Sequence, residues 1–413
     1  MIHSELSQPV SLDHLERMTD CLGLIQHANY SIPDFRTGYT TDDNARALVV
    51  AVKHHRLYGD RLSRDLAYRY LAFLMYAQTP EGRFHNFVSY DRRPMDTVGS
   101  EDAFGRAFWA LGHLLADPIE SGMVGPAERM LHQALPWVEK LEHPRSKAYC
   151  IVGLHWWARS SRGDVRRAEQ LARPLVSYLV GRYHEHTRPG WAWILPEFTY
   201  ANAALPKALF RAHQLLGDEQ CLAIAERTMD FLAQKTSIHD TLAVVGNREW
   251  LQPDENPLPA RYDQQPIEAG LMVEASLAGY DATGDVKHLR RAWRDLEWFF
   301  GRNLQGISLY DPETGGCFDA LMEGQVNENR GAESAVSLLL ARLAMVEAVQ
   351  RLADKTLVGA GDATDTAATE WVSQLPGGEP RTPEDEILLH PIVQREQRES
   401  ASPASAKGDK NAP

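Results

Sequence analysis

Acidic and amide side chains gather at five short motifs, each at the start of an apolar helical pattern. Asp42-Asp43-Asn44 followed by Arg46 is the densest. The others are Glu101-Asp102, Glu197 with Asn202, Gln265 with Glu268, and Asn329-Arg330 with Glu333. Capping explains one acid per start, because a carboxylate in a first turn gains about 0.3–1 kcal/mol from the helix dipole. It does not explain an acid joined by an amide or arginine. Carboxylates, amides and guanidinium groups converging on one place supply the paired donors and acceptors that sugar hydroxyls require. They also supply the two carboxyl groups of glycosidic cleavage, one to protonate the leaving oxygen and one to activate water or attack the anomeric carbon.

Asp43 and Glu268 lead as the acid–base pair, with Glu101 and Asp102 in reserve. Asp43 lies beside Asn44 and one turn before Arg46, which predicts an ionised carboxylate; Glu268 follows the apolar Pro266-Ile267, which predicts a protonated one. Adjacent residues on a helix point about 100° apart, so one of each neighbouring pair caps or orients. Asp42, Asn44, Arg46, His85, Glu197, Asn202, Gln265, Asn329, Arg330 and Glu333 are expected to bind substrate. The loop aromatics Trp191, Trp193, Trp250 and Tyr262 are expected at the rim, where flat sugar faces stack on rings.

The elements that must position these residues follow from apolar periodicity. Twelve helices are predicted, near residues 11–28, 42–58, 63–78, 100–116, 126–142, 145–160, 164–186, 196–216, 218–235, 264–283, 285–303 and 331–352. Short connectors recur as Gly59-Asp60, Gly163-Asp164, Gly217-Asp218 and Gly284-Asp285, closing one helix with Gly and opening the next with Asp. The intervening connectors are long and carry the polar and aromatic residues. Even-numbered helices are richer in Ala, Gly and apolar residues and odd-numbered ones carry charge on one face, so the former are inner and the latter outer. Six such hairpins close into an all-α (α/α)6 toroid over residues 11–352. Its funnel mouth lies at the N-terminal ends of the inner helices. Residues 353–413 are rich in Ala, Gly, Thr, Pro, Ser and charge, and are expected to form a largely disordered tail.

Bulk properties narrow the function. The 413 residues carry a formal net charge of −13, which argues against nucleic acid and anionic membranes as partners. No apolar run suits membrane insertion and Met1 to Val10 has no leader pattern, so a cytoplasmic protein is expected. The four cysteines are far apart, and no metal and no cofactor are expected.

Several strings resemble a known group: Gly38 to Leu48, Gly82-Arg83-Phe84-His85-Asn86-Phe87 with Ser89 to Arg93, Asp263 to Ala269, and Asn329 to Ser334. They look like bacterial six-hairpin glycosidase-like domains that occur fused to, or encoded beside, glycosyltransferases and mannoside phosphorylases. The resemblance covers about residues 11–352. It implies carbohydrate chemistry in an (α/α)6 barrel and a glycosyltransferase of the same pathway as partner. The group's pattern implies Asp where Ala201 stands and His where Phe104 stands, departures that would impair or alter activity.

The expected function is that of a glycoside hydrolase acting on an oligosaccharide, with mannosides among the candidates. Two alternatives stand beside it. A sugar epimerase or isomerase would use histidines, with His85 and His239 available. A non-catalytic glycan-binding module would keep the aromatics and amides without a working acid pair. Terpene cyclisation is weaker, since Asp42-Asp43 sits in polar surroundings, and a glycosyltransferase proper lacks its nucleotide-sugar α/β fold.

Overall fold

The structure is a computed structural model that describes residues 9–247, 250–253, 262–358, 368 and 371. Nearly all of the expected tail lies outside the described residues.

Twelve α-helices run through the described chain: α1 Asp13–Arg17, α2 Thr41–Tyr58, α3 Arg61–Ala77, α4 Glu101–Ala116, α5 Ser121–Val138, α6 Pro144–Arg159, α7 Val165–His186, α8 Ala204–Leu216, α9 Glu219–Lys235, α10 Pro266–Thr283, α11 Val286–Leu296 and α12 Ala332–Val358. The even-numbered helices pack side by side in chain order, and α12 returns against α2. That contact closes the ring. The odd-numbered helices from α3 to α11 pack outside it, as an (α/α)6 toroid requires.

Sequence dictates the alternation locally. Gly59, Gly217 and Gly284 end α2, α8 and α10 in the left-handed conformation, at φ 63°, 66° and 72°. The next residue in each case, Asp60, Asp218 or Asp285, caps the following helix by accepting from its first-turn amides. Inner and outer helices also differ as expected. From Pro266 to Gly279 α10 is buried on every side, whereas α11 buries mainly His288, Leu289, Ala292, Asp295 and Leu296. The inner pair α4 and α6 approach closely because glycines meet: a Cβ on Gly112 would stand 2.3 Å from the Gly153 carbonyl oxygen.

Three expected helices are shorter than the periodicity suggests; the one expected near 285–303 ends at Leu296 and passes into a 3-10 turn, Glu297–Phe299. The first stops at Arg17, where the Asp20 carboxylate accepts from the Leu22 and Gly23 amides and turns the chain. Helix α8 begins at Ala204, so Leu195 and Phe198 are buried loop residues and Glu197 precedes the helix by two turns. Among the described residues the long connectors hold five small antiparallel hairpins or ladders. One pairs β1 (Tyr39–Thr40) with β2 (Phe87–Val88) and clamps the 79–99 connector over the start of α2. There Thr41 donates through its amide to Asn86 at 2.8 Å and through its hydroxyl to His85 at 2.5 Å. Among the described residues no helix is long and apolar enough to cross a membrane.

Candidate active site

A cavity of about 620 Å³ opens at the N-terminal ends of the inner helices. All six contribute. Asp42 comes from α2, and Glu101, Asp102 and Arg106 from α4. His143 and Arg145 flank the start of α6, and Tyr200 precedes α8. Gln265 and Ile267 open α10, and Glu333 opens α12.

The most constrained group is Asp42. One oxygen pairs with the Arg106 guanidinium and the other lies 3.0 Å from Arg46 Nε. Burial pushes its carboxyl up, but Arg106 and Arg46 outweigh burial and hold it below the usual carboxylate range. Arg106 is itself fixed by a 3.2 Å bond to the Tyr149 hydroxyl. Asp43 turns away from the cavity. It accepts from the Thr40 hydroxyl at 2.6 Å and from Arg46 at 2.7 Å. Arg46 was expected to keep Asp43 readily ionised. Burial wins, helped by the charges of Asp42 and Glu333, and raises its carboxyl to about 6.

Asp102 accepts from the Ser146 hydroxyl at 3.0 Å and from the Tyr200 hydroxyl. Arg145 lies over the Tyr200 ring at 4.3 Å. Glu101 reaches the cavity wall but spends both oxygens on the Glu142 and His143 amides, 2.8–3.1 Å away, and so ties down the entry to α6. Glu333 is more open than Asp42, with its side chain 45% exposed against 21%, and lies 3.2 Å from Arg46.

Glu268 lies one layer behind the cavity wall. It accepts from the Ala201 and Asn202 amides and from Asn202 Nδ2. Burial raises its carboxyl despite those donors, in the expected direction. Ala201 makes this cradle possible. It is buried, at φ 47°, a region costly for a side chain, and it adds no polar atom beside Glu268. Phe104 packs against Phe84 and Phe108.

Other expected binding residues serve the scaffold. Asn44 bonds across to Leu24 at 2.8 Å, and His85 lies 2.8 Å from the Asp96 carbonyl. Asn329 accepts from the Tyr30 amide at 2.9 Å, and Arg330 pairs with Asp311 at 2.8 Å. Glu197 meets Gln252 at 3.3 Å. The clearest corrections are Trp191 and Trp193, 3% and 0% exposed and packed on Phe198 in the core rather than offered to a sugar. Trp250 is 53% exposed, and Tyr262 accepts from Gln305. His239 is exposed on a turn, and neither it nor His85 lines this cavity.

Arg83, Arg106, Arg145, His143 and Tyr200 line the cavity without having been singled out. Only Arg106 left a signal, as the lone charge in the apolar run from Ala103 to Gly112. Among the described residues no three His, Cys, Asp or Glu side chains gather as a metal site would need.

The helix order and this funnel define a six-hairpin (α/α)6 toroid. A search against models of known protein families gives no match, nor does a search of curated protein sequences. Solved structures do match. A sugar epimerase from a ruminal bacterium is 13% identical with a TM-score of 0.64, covering 88% of this chain and all of that one. Cellobiose 2-epimerase from Spirochaeta thermophila DSM 6192 is 13% identical with a TM-score of 0.63, covering 84% and 97%. A GH76 α-1,6-mannanase from Salegentibacter sp. is 10% identical with a TM-score of 0.58, covering 83% and 98%. At such identities the likeness establishes the fold.

Proposed function

We propose that the toroid of residues 11–352 is a glycoside hydrolase acting on an oligosaccharide, with mannosides the first class to test. The observation that carries this reading is the unequal pair of cavity carboxyls, Asp42 between two guanidinium groups and Asp102 between two neutral hydroxyls. Glycosidic cleavage needs two carboxyl groups in different roles, and these two reach one cavity from α2 and α4. Asp42 is the carboxylate that activates water or attacks the anomeric carbon. Asp102 protonates the leaving oxygen, and Arg145, Tyr200, Gln265 and Glu333 hold the sugar hydroxyls. Asp43 and Glu268, the pair favoured by sequence, support the wall from behind.

A related fold gives the reading a precedent. An inactive α-1,6-mannanase variant with two adjacent Asp→Asn substitutions is known in complex with α-1,6-mannotriose. This chain offers adjacent acid pairs at the starts of α2 and α4. A cytoplasmic setting and a glycosyltransferase partner belong to the same proposal.

Epimerisation is the second reading, favoured by His143 at the cavity and by the higher TM-scores of the epimerases. Incubating the protein with α-mannooligosaccharides and with free disaccharides, beside Asp42→Asn and Asp102→Asn, separates the two. Hydrolysis predicts new reducing ends that both substitutions suppress. Undiminished turnover in both variants, or an epimer formed without chain cleavage, overturns it.

A further inference from the structure

The barrel has a second cavity, of about 310 Å³, at the opposite end of its axis. All six inner helices contribute, mostly through their C-terminal halves. A void of only about 20 Å³, walled in part by Trp109, Tyr149, Leu271 and Leu340, shares Trp109 with this cavity and Ile267 with the first.

Its lining is charged in an unbalanced way. Six cationic side chains, Lys53, Arg56, Arg159, Lys207, Arg211 and Arg351, face four carboxylates. The carboxylates are all engaged: Glu347 with Lys53 at 2.6 Å, Glu274 with Lys207 at 3.0 Å, Asp281 with Arg211 at 2.9 Å and Asp117 with Arg56 at 2.9 Å. Arg351 shares Asp281 at 2.8 Å. Arg159 makes no ion pair among the described residues, and its guanidinium lies 5.7 Å from the Trp156 ring centre. In a chain of net charge −13, this pocket holds two more positive groups than negative ones.

Helix C-termini attract cations, and that explains part of the excess. It does not explain the unpaired donors. Trp109 Nε1 and Arg211 Nε are buried without an acceptor, and neither nitrogen of His113 has a hydrogen-bond partner. The nearest carboxylate to His113, Asp117, is 4.0 Å from Nδ1, and the ring stacks on Trp156 at 4.6 Å. Burial, with Lys53 and Arg56 nearby, keeps this imidazole well below its ordinary range and therefore neutral. A buried donor left without an acceptor is costly, so a group rich in acceptor oxygens is the missing partner.

We propose that this cavity binds a phosphate group, free or as a phosphate ester, between Arg159, His113 and the lysines Lys53 and Lys207. The ligand would be a dianion matching the excess charge, and its oxygens would accept from the orphaned donors. This inference is independent of the chemistry assigned to the first cavity.

The test is calorimetric titration of the full chain with inorganic phosphate and, separately, glucose 6-phosphate at constant ionic strength. Arg159→Glu and His113→Phe are titrated in parallel, with Arg145→Gln as a control at the first cavity. One saturable site per chain is expected. Arg159→Glu should weaken it by about tenfold or more, as loss of a charge-assisted bond implies, and Arg145→Gln should leave it unchanged. Tighter binding of the ester assigns an esterified ligand; tighter binding of inorganic phosphate assigns the free ion. Both outcomes support the site. Absence of saturable binding means that the cavity holds only water, and binding lost in Arg145→Gln but kept in Arg159→Glu and His113→Phe places the anion in the first cavity. Either result overturns the proposal.

Discussion

Asp42 and Asp43 are consecutive residues whose carboxyls are driven in opposite directions. Asp42 faces the cavity and two guanidinium groups and is held low, while Asp43 faces the interior and is raised to about 6. A single step of about 100° around α2 separates the two environments.

Asp42→Asn is expected to lower kcat by about 10²–10⁴ on whatever oligosaccharide is turned over, the usual loss when an acid–base group is removed. Asp42→Ala should also destabilise the fold by about 3–5 kcal/mol, because the buried Arg106 loses its carboxylate partner. Steady-state kinetics and chemical denaturation check the two parts separately. Wild-type stability in Asp42→Ala would show that Arg106 does not depend on this pair.

The raised carboxyl of Asp43 has a definite sign in the stability profile. The folded protein keeps this proton up to about pH 6, whereas the unfolded chain releases it near 3.8. Between those values the native state binds more protons, so this group's contribution to stability falls as pH rises. Asp43→Asn removes that contribution. Denaturation midpoints at several values between about pH 4 and 6 should therefore show the variant gaining on the wild type as pH rises. A constant gap between the two profiles would contradict the assignment.

Trp193→Ala should cost about 3–5 kcal/mol, as expected for emptying a fully buried indole site. Trp250→Ala should stay within about 0.5 kcal/mol, since that ring is largely in solvent. Thermal unfolding distinguishes the two, and equal losses would mean that one ring is misplaced.

Gly112→Ala should cost about 1–3 kcal/mol by forcing α4 and α6 apart, because the new methyl group would meet the Gly153 carbonyl. Gly125→Ala is the control. Nothing lies within 4 Å of its Cβ position, and Ala favours an exposed helix by up to about 1 kcal/mol. Urea midpoints moving in opposite directions are the expected result.

The fold was legible because its punctuation is local. Gly59-Asp60, Gly217-Asp218 and Gly284-Asp285 mark a left-handed stop and a capped start within two residues, whatever surrounds them. The start of α8 was not legible, since Leu195 and Phe198 are apolar at helical spacing yet are buried as loop residues around Trp191 and Trp193. In the site, the acid-bearing helix starts could be read from composition. The facing of each acid could not, because packing sets the rotation of a helix: Thr40 and Arg46 draw Asp43 inward, and the Ala201 and Asn202 amides draw Glu268 back. Arg83 and Tyr200 reach the cavity from connectors whose course no periodicity records.

Closure of the ring by α12 against α2 also bears on how the chain comes to be folded. The Lys53–Glu347 pair joins positions 294 residues apart, and the Arg46–Glu333 pair spans 287. Synthesis at about 5–20 residues per second leaves α2 waiting for roughly 15–60 s before its last neighbour exists. Throughout that interval one apolar flank of the first hairpin and one of the latest lie open, like the two ends of an unclosed bracelet. A ribosome-bound chain halted before α12 should therefore bind hydrophobic-surface chaperones, and the completed chain should release them.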